Sequence, residues 1–361
     1  MDDLTIKSKL GAIKVSFIDD FSFLYSLFKD PRTIVITGKD FYKLYRKIFC
    51  DLPYKKLIVV PLSEKTKTLK TVIRLYRNLL DLPYKKNLTV VSLGGGINQD
   101  VVGFLAATLY RGIRWIYVPT TLLAQADSSI GLKTSLNLDS YKNIVGTFYT
   151  PKEIYISVYF LKTLSEVDFH SGVGEVLKLM LMDKRVKDKL PSIEKNILTL
   201  IKREDMDSLK RIIRKTINIK LSYMKGDEFD YGKRNLLNYG HEIGHALESA
   251  CNFVIPHGVA VLYGILFANQ VSFQRDWIAE KHFDLINKIV KSAFPKSLRI
   301  KKEYFNIQKI LLGMRMDKKR EGNDLVLVLP QKDLSLIKIT DFKEKECMEN
   351  LRVWIDRMQF K

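Results

Sequence analysis

Between residue 33 and about residue 121, short β-branched runs alternate with amphipathic stretches, and no other pattern in the chain restricts the fold more. Thr33-Ile-Val-Ile-Thr, Leu57-Ile-Val-Val, Leu88-Thr-Val-Val-Ser and Trp115-Ile-Tyr-Val are apolar runs of strand length, rich in residues that suit a buried sheet. Between the second and third of them, residues 67–80 place Leu69, Val72, Ile73, Tyr76, Leu79 and Leu80 at helical spacing. Buried strands alternating with helices predict an α/β domain with a mainly parallel sheet. The hexapeptide Asp-Leu-Pro-Tyr-Lys-Lys occurs at 51–56 and again at 81–86, each time just before a strand. Both copies read as helix-exit loops in which proline stops the preceding helix.

Beyond about Pro151 the texture changes. Helical patterns run through 172–182, 193–202, 206–224, 236–250, 259–273 and 281–294, followed by strands at 325–329 and 336–339 and a closing helix from Phe342. A chain of 361 residues exceeds one small core. Two domains are expected: residues 1–152, a nucleotide-binding type α/β domain, and residues 153–361, a mostly α-helical domain. A hinge within 140–155 would leave a cleft between them.

The strand before Gly94-Gly95-Gly96 runs into these glycines, and a helix is expected to open near Asp100. Glycines after a strand let the backbone approach a phosphate, and a helix N-terminus offers unpaired amides and partial positive charge. Three glycines also make an ordinary turn, and the spacing is not G-x-G-x-x-G. Farther on, Asp127-Ser-Ser-Ile-Gly-Leu-Lys133-Thr and Lys142-Asn143 put polar side chains in an apolar-flanked segment. Burying them is expensive unless they hold a polar ligand, although a solvated loop has the same composition. Glu175 and Lys178 stand at i and i+3 on an otherwise apolar helix, where an exposed ion pair contributes less than about 1 kcal/mol.

Three of the five histidines, His241, His245 and His257, lie within one short stretch. Imidazole is the commonest metal ligand and the usual proton carrier near neutral pH, so the cluster marks a metal or acid/base site. His241-Glu242-Ile-Gly-His245 matches the H-E-x-x-H signature of zinc peptidases, in which two histidines on one helix face bind zinc and the glutamate acts as base. That reading leaves the glycine turn, the polar segment 127–143 and Glu175 without a role, and it ranks second.

The net charge of +20 comes from lysines spread along the whole chain, without an RNP-like aromatic motif or a zinc finger. It reads as a solvated surface, with no nucleic-acid partner. Cys50, Cys251 and Cys347 are odd in number, far apart and without CxxC spacing, so they are expected to be reduced and structural. The start Met1-Asp-Asp-Leu lacks the positive charge of a signal peptide, and no apolar run is long enough to span a bilayer. A cytoplasmic location without membrane contact is the expectation.

Taken in order, Gly94-Gly-Gly-x-x-x-Asp100, Arg111-Gly, Val118-Pro-Thr-Thr-Leu-Leu-Ala, Asp127-Ser-Ser, Lys133-Thr, Lys142-Asn143, Glu175-Val-x-Lys178, Asn238-Tyr-Gly-His241-x-x-Gly-His245 and His257-Gly resemble the 3-dehydroquinate synthase family of sugar phosphate cyclases. The resemblance runs from about residue 63 to residue 319. It implies an NAD- and metal-dependent lyase that converts 3-deoxy-D-arabino-heptulosonate 7-phosphate to 3-dehydroquinate and phosphate, with NAD recycled. That is a step of the shikimate pathway of aromatic amino acid biosynthesis.

By the same resemblance Glu175, His241 and His257 are the ligands of Zn²⁺ or Co²⁺, a donor set that leaves coordination positions open. His245 becomes a substrate and phosphate contact, and Glu242 stands where the family has a small polar residue. NAD is implied at Gly94, Gly95, Gly96 and Asp100, with Thr120, Thr121, Asp127 and Lys142 nearby and Glu64 and Lys67 toward the adenosine end. Asp127, Lys133, Asn143, Lys178, Lys220, Arg234, Asn238, His245 and Lys318 match substrate-contacting positions, all but Asn143 and Lys318 being implied as catalytic. Arg111 matches an arginine that reaches the neighbouring subunit's site, which implies a homodimer. Retention of Arg234, Asn238 and His245 favours a carboxylate-bearing heptulosonate. Leu132, Tyr141, Val259 and Ser157-Val158 depart from the family pattern, and Leu132 and Tyr141 would crowd the substrate loop, so a diverged cyclase acting on another sugar phosphate stays as the alternative.

Overall fold

A computed structural model of the chain describes residues 3–50, 52–139, 141–316 and 324–358. Two compact units, Met1–Leu164 and Ser165–Lys361, account for it. No helix among the described residues is long and apolar enough to cross a membrane.

In the first unit the strands are β1 (Leu4–Ser8), β2 (Gly11–Phe17), β3 (Thr33–Gly38), β4 (Leu57–Val60), β5 (Thr89–Gly94), β6 (Arg114–Pro119), β7 (Lys133–Leu138), β8 (Tyr141–Phe148) and β9 (Glu153–Ile156). Its helices are α1 (Ser22–Lys29), α2 (Lys39–Leu44), α3 (Leu69–Leu80), α4 (Gly96–Thr108) and α5 (Leu122–Ala126). Seven strands form one sheet in the order β1-β2-β9-β6-β5-β3-β4, parallel except for the β1–β2 hairpin. Every residue of β5 is buried, which is why Thr89-Val-Val-Ser-Leu has no alternation. Val35, Val91, Leu93, Ile116 and Val118 meet Leu24, Phe28, Phe49 and Phe160 in one core cluster.

In this unit three details differ from the reading of the sequence. Helix α4 opens at Gly96, not near Asp100, so the third glycine is already helical. Strand β9 lies beyond residue 152, yet it pairs in parallel with β2 and β6 inside the sheet. Glu153-Ile-Tyr-Ile opens on a charged residue and lacks the continuous apolar run that marks the four-residue β4. Strands β7 and β8 pair antiparallel in a sheet of their own, where a solvated loop was the alternative.

The second unit contains α6 (Glu166–Leu181), α7 (Val186–Lys202), α8 (Met206–Met224), α9 (His241–Ala250), α10 (His257–Gln274), α11 (Glu280–Ser292), α12 (Ile307–Arg315), the hairpin β10 (Leu325–Pro330) and β11 (Leu336–Phe342), and α13 (Glu344–Asp356). Helix α10 is buried on nearly every side, as its run of apolar residues requires. Phe267, Phe305 and Trp354 meet edge to face around it. The helix expected over 236–250 is broken: a 3₁₀ turn, Lys233–Asn238, is separated from α9 by Tyr239 and Gly240. Gly240 has φ +79° and packs against the backbone of α10, where a Cβ would fall 2.8 Å from the carbonyl oxygen of Val261. Only glycine combines that dihedral with that contact.

Candidate metal and substrate centre

Glu175 lies on α6 and is 1% exposed. Its Oε1 is 3.2 Å from Nε2 of His257, the first residue of α10, and 3.4 Å from Nε2 of His241, the first residue of α9. One helical turn along α6, Lys178 brings its Nζ to 2.6 Å from Oε2. His245 follows His241 by one turn on α9, and the three imidazoles offer nitrogens within 4.8 Å of one another. Behind His257, its Nδ1 is 3.0 Å from Oε2 of Glu248.

Small residues make this convergence possible. Where α6 crosses α10, a Cβ on Gly174 would fall 2.1 Å from the carbonyl oxygen of Gly258, and one on Gly258 would fall 1.7 Å from that of Ser171. The Ser171 hydroxyl then accepts the Gly258 N–H at 3.0 Å. Across α9 and α10, a Cβ on Gly264 would fall 1.8 Å from the Gly240 oxygen. Backbones this close carry the residues beside the glycines, Glu175, His241 and His257, into one place.

Burial works against ionisation of Glu175, but the Lys178 ammonium and His241 hold its carboxyl well below the usual carboxylate range. Burial, followed by Lys178, lowers the pKa of His241 and keeps its ring neutral. For His257 burial acts in the same direction, yet Glu248 and Glu175 outweigh it and push the ring up to about 10. Neither oxygen of Glu175 meets a hydrogen bond of good geometry, although both are buried. A buried carboxylate without a well-directed donor, faced by two imidazole nitrogens, is the donor chemistry of a Zn²⁺-type ion with open positions. The residues present fit such an ion.

The other expected substrate residues of this unit lie on α8 and on the 3₁₀ turn that packs against it. Lys220 and Arg234 are buried, at 6% and 5% exposure. Asn238 donates its side-chain N–H to the Asn235 carbonyl at 2.7 Å. Asp227, which carries no motif signal, accepts backbone N–H bonds from Tyr231, Gly232 and Arg234 at 2.8, 2.9 and 2.8 Å, and so shapes the loop that presents Arg234. Lys318 lies outside the described residues. Glu242, the central acid of the peptidase-like signature, is buried on α9.

In the first unit Gly94 ends β5, Gly95 precedes α4 and Gly96 opens it. Cβ atoms on Gly94 and Gly95 would meet Asn98 at 2.7 Å and Thr121 at 2.9 Å, while Gly96 has nothing closer than 3.8 Å. The Thr120 N–H bonds to the Gly94 carbonyl at 3.0 Å, and the Thr121 hydroxyl caps α5. This is a strand, a glycine turn and a helix N-terminus of the kind that receives a phosphate.

Beside it, Lys67 Nζ is 2.5 Å from Asp100 Oδ2 and donates to Asn143 Oδ1 at 2.6 Å. Asp100 also accepts the Ser135 N–H at 2.9 Å, and its pKa is raised because burial outweighs the Lys67 ammonium. Asn137 donates to Glu64 Oε1 at 2.8 Å and accepts the Asn143 N–H at 3.0 Å, while Lys142 stands 3.8 Å from Glu64. Asn143, expected with the substrate residues, thus stands among those expected at the nucleotide. Ser135 and Asn137 join them from β7, and no motif marks either.

Asp127 sits between α5 and a short 3₁₀ turn, and Lys133 starts β7 with its side chain exposed. Arg111 is exposed on a corner where Tyr110, Arg111 and Gly112 have φ of 52°, 66° and 117°. Of the departures from the family pattern, Leu132 and Val259 are buried while Tyr141 is 56% exposed.

A profile of the 3-dehydroquinate synthase N-terminal region matches residues 57–171, and one of the 3-dehydroquinate synthase C-terminal region matches residues 172–320. The chain is 37% identical over 289 residues to the 3-dehydroquinate synthase of Acetivibrio thermocellus, spanning 79% of this chain and 78% of that protein. Among solved structures it resembles a 2-deoxy-scyllo-inosose synthase complexed with carbaglucose-6-phosphate, NAD⁺ and Co²⁺, with TM-score 0.82, 24% identity and coverage of 98% and 100% of the two chains. It also resembles the 2-epi-5-epi-valiolone synthase of Streptomyces hygroscopicus subsp. jinggangensis with NAD⁺ and Zn²⁺ bound, with TM-score 0.82, 19% identity and coverage of 95% and 97%.

Proposed function

The chain belongs to the 3-dehydroquinate synthase family, and on that premise we propose that it converts 3-deoxy-D-arabino-heptulosonate 7-phosphate to 3-dehydroquinate and phosphate, using NAD and Zn²⁺ or Co²⁺. The observation that carries the proposal is the convergence of Glu175, His241 and His257 on one point beside Lys178. When bound, NAD supplies hydride acceptance and return, and the divalent ion supplies a charge that acidifies a coordinated hydroxyl.

In this reading Glu175, His241 and His257 hold the ion, and the first unit holds NAD through Gly94, Gly95, Gly96, Asp100, Thr120, Thr121 and the cluster of Glu64, Lys67 and Lys142. Asp127 is assigned to both the nucleotide and the substrate. Lys133, Lys178, Lys220, Arg234, Asn238 and His245 bind the substrate's carboxylate, phosphate and hydroxyls, with Asn143 and Lys318 as further contacts. The positive charges of the lysines and Arg234 stabilise the anion that grows as phosphate departs, and preorganised charge of this kind is usually the largest single contribution to a rate. The leaving phosphate takes the proton itself, so no side chain is assigned as a dedicated base. Arg111 completes the site of a second copy, making the working form a homodimer, and the reaction takes place in the cytoplasm.

Purified protein given NAD⁺, Zn²⁺ and the heptulosonate phosphate should release inorganic phosphate, and Lys133→Ala or His257→Ala should abolish the release. Release from sedoheptulose 7-phosphate in preference would move the chain to the diverged-cyclase alternative. Cleavage of casein without any need for NAD would restore the peptidase reading.

A further inference from the structure

Glu248 stands three residues after His245 and seven after His241 on α9, so all three share one side of the helix. Its side chain is 11% exposed. It lies in the last turn of α9, where the carbonyl end of the helix dipole disfavours negative charge and burial disfavours it further. A carboxylate kept there against both effects needs a donor, and the imidazole of His257 stands at hydrogen-bonding distance, with Nδ1 3.0 Å from Oε2. The opposite nitrogen of the same ring faces Glu175 at 3.2 Å. The imidazole is thus threaded between two carboxylates, one at the centre and one behind it.

The backbone of Glu248 ties it to the segment that delivers His257. Its carbonyl accepts the Phe253 N–H at 2.8 Å, closing a turn in which Asn252 and Phe253 have φ of 52° and 62°. That turn leads through Pro256 directly into His257. One residue therefore anchors both the entry to α10 and the ring on its first residue.

The two imidazole nitrogens are chemically distinct, and a partner that accepts the Nδ1–H leaves the Nε2 lone pair as the ligand. We propose that Glu248 is a positioning residue for the divalent ion: it accepts the Nδ1 proton of His257 in a hydrogen bond and so aims Nε2 at the point shared with Glu175 and His241. This inference rests on the metal reading given under Proposed function.

The test is Zn²⁺ affinity of the full chain, measured by competition with a chromophoric chelator at fixed pH, beside melting curves of the metal-free protein. Glu248→Ala should weaken Zn²⁺ binding by about 10- to 100-fold. Glu248→Gln, which keeps an acceptor oxygen, should recover most of that loss. A Glu248→Ala protein that melts lower yet binds Zn²⁺ like the unmodified chain overturns the proposal, because that is the signature of a purely structural role. His257→Ala serves as the reference. If it too keeps full affinity, the metal reading itself fails, whereas if it loses affinity and Glu248→Ala does not, only the role of Glu248 fails. Should Glu248→Ala not fold, nitrogen NMR of the Zn²⁺-loaded unmodified protein decides the matter: a proton on Nδ1 of His257 is expected, and a proton on Nε2 overturns the assignment.

Discussion

Gly174 and Gly258 touch backbone to backbone where α6 crosses α10, leaving no room for a single added carbon on either. Overpacking a tight contact costs about 1–3 kcal/mol and sometimes more. Gly258→Ala is expected to lower the melting temperature and to separate Glu175 from His257, so that dialysed protein retains less than one equivalent of Zn²⁺. Gly38→Ala, at a site with nothing within 4 Å, is the control and should stay within about 0.5 kcal/mol of the unmodified chain.

Glu175→Gln removes the negative charge 2.6 Å from the buried Lys178 ammonium. Breaking a buried pair from one side costs about 3–5 kcal/mol, and this substitution should cost both stability and the metal. His245→Ala should behave differently, keeping stoichiometric Zn²⁺ while phosphate release falls by about 100-fold or more. Metal analysis of the dialysed proteins, set beside the release assay, separates the two roles. Loss of Zn²⁺ from His245→Ala would make the third imidazole a ligand.

Lys67→Met leaves the part-buried Asp100 without its 2.5 Å partner and Asn143 Oδ1 with the Ser135 hydroxyl, at 2.9 Å, in place of two donors. The expected result is destabilisation of about 3–5 kcal/mol together with weaker NAD⁺ binding. Urea unfolding and a fluorescence titration with NADH measure the two effects. Unchanged nucleotide affinity in a folded Lys67→Met protein would remove the Glu64, Lys67 and Asp100 network from the cofactor site.

Burial opposes ionisation of Asp227, but the backbone N–H groups of Arg234, Tyr231 and Gly232 hold its pKa below 3.8. A carboxyl depressed on folding contributes stability that is complete above its unfolded pKa and disappears as pH falls through its folded one. Asp227→Asn should therefore unfold at lower urea than the unmodified chain at pH 7, by about 1 kcal/mol for a lost charge-assisted cap. The gap should close as pH drops below about 4. A gap that persists unchanged into acid would show that the carboxylate charge is not what holds the Arg234 loop.

Much of the fold was readable because local pattern and tertiary environment agree. The runs at Thr33, Leu57, Thr89 and Trp115 are strands, and 206–224 is α8 to the residue. The misreadings occur where the deciding contact is distant. Residues 236–250 have helical spacing throughout, but Gly240 is pulled into the left-handed region by packing against Val261 and Ile265. Glu153-Ile-Tyr-Ile becomes a strand only because β2 and β6 flank it. At the site, His241 and His245 announce themselves by spacing on one helix. Their association with Glu175 came from family resemblance, since nothing in the spacing of residues 175 and 257 says that two glycines will bring them together. Glu248, Asp227, Ser135 and Asn137 had no signal at all, because an acid or amide that orients a neighbour is indistinguishable in sequence from one that faces water.

The corner at Tyr110, Arg111 and Gly112 holds two side-chain-bearing residues in the left-handed region, at about 1–2 kcal/mol each. Such a shape persists only because the surrounding chain imposes it against its own torsional preference. A screen for thermostable variants will accordingly favour glycine or asparagine at these two positions. At 110 such a change would loosen the bearing of Arg111 and at 111 it would remove the guanidinium itself, so at this corner durability is set against the subunit-bridging role proposed for Arg111.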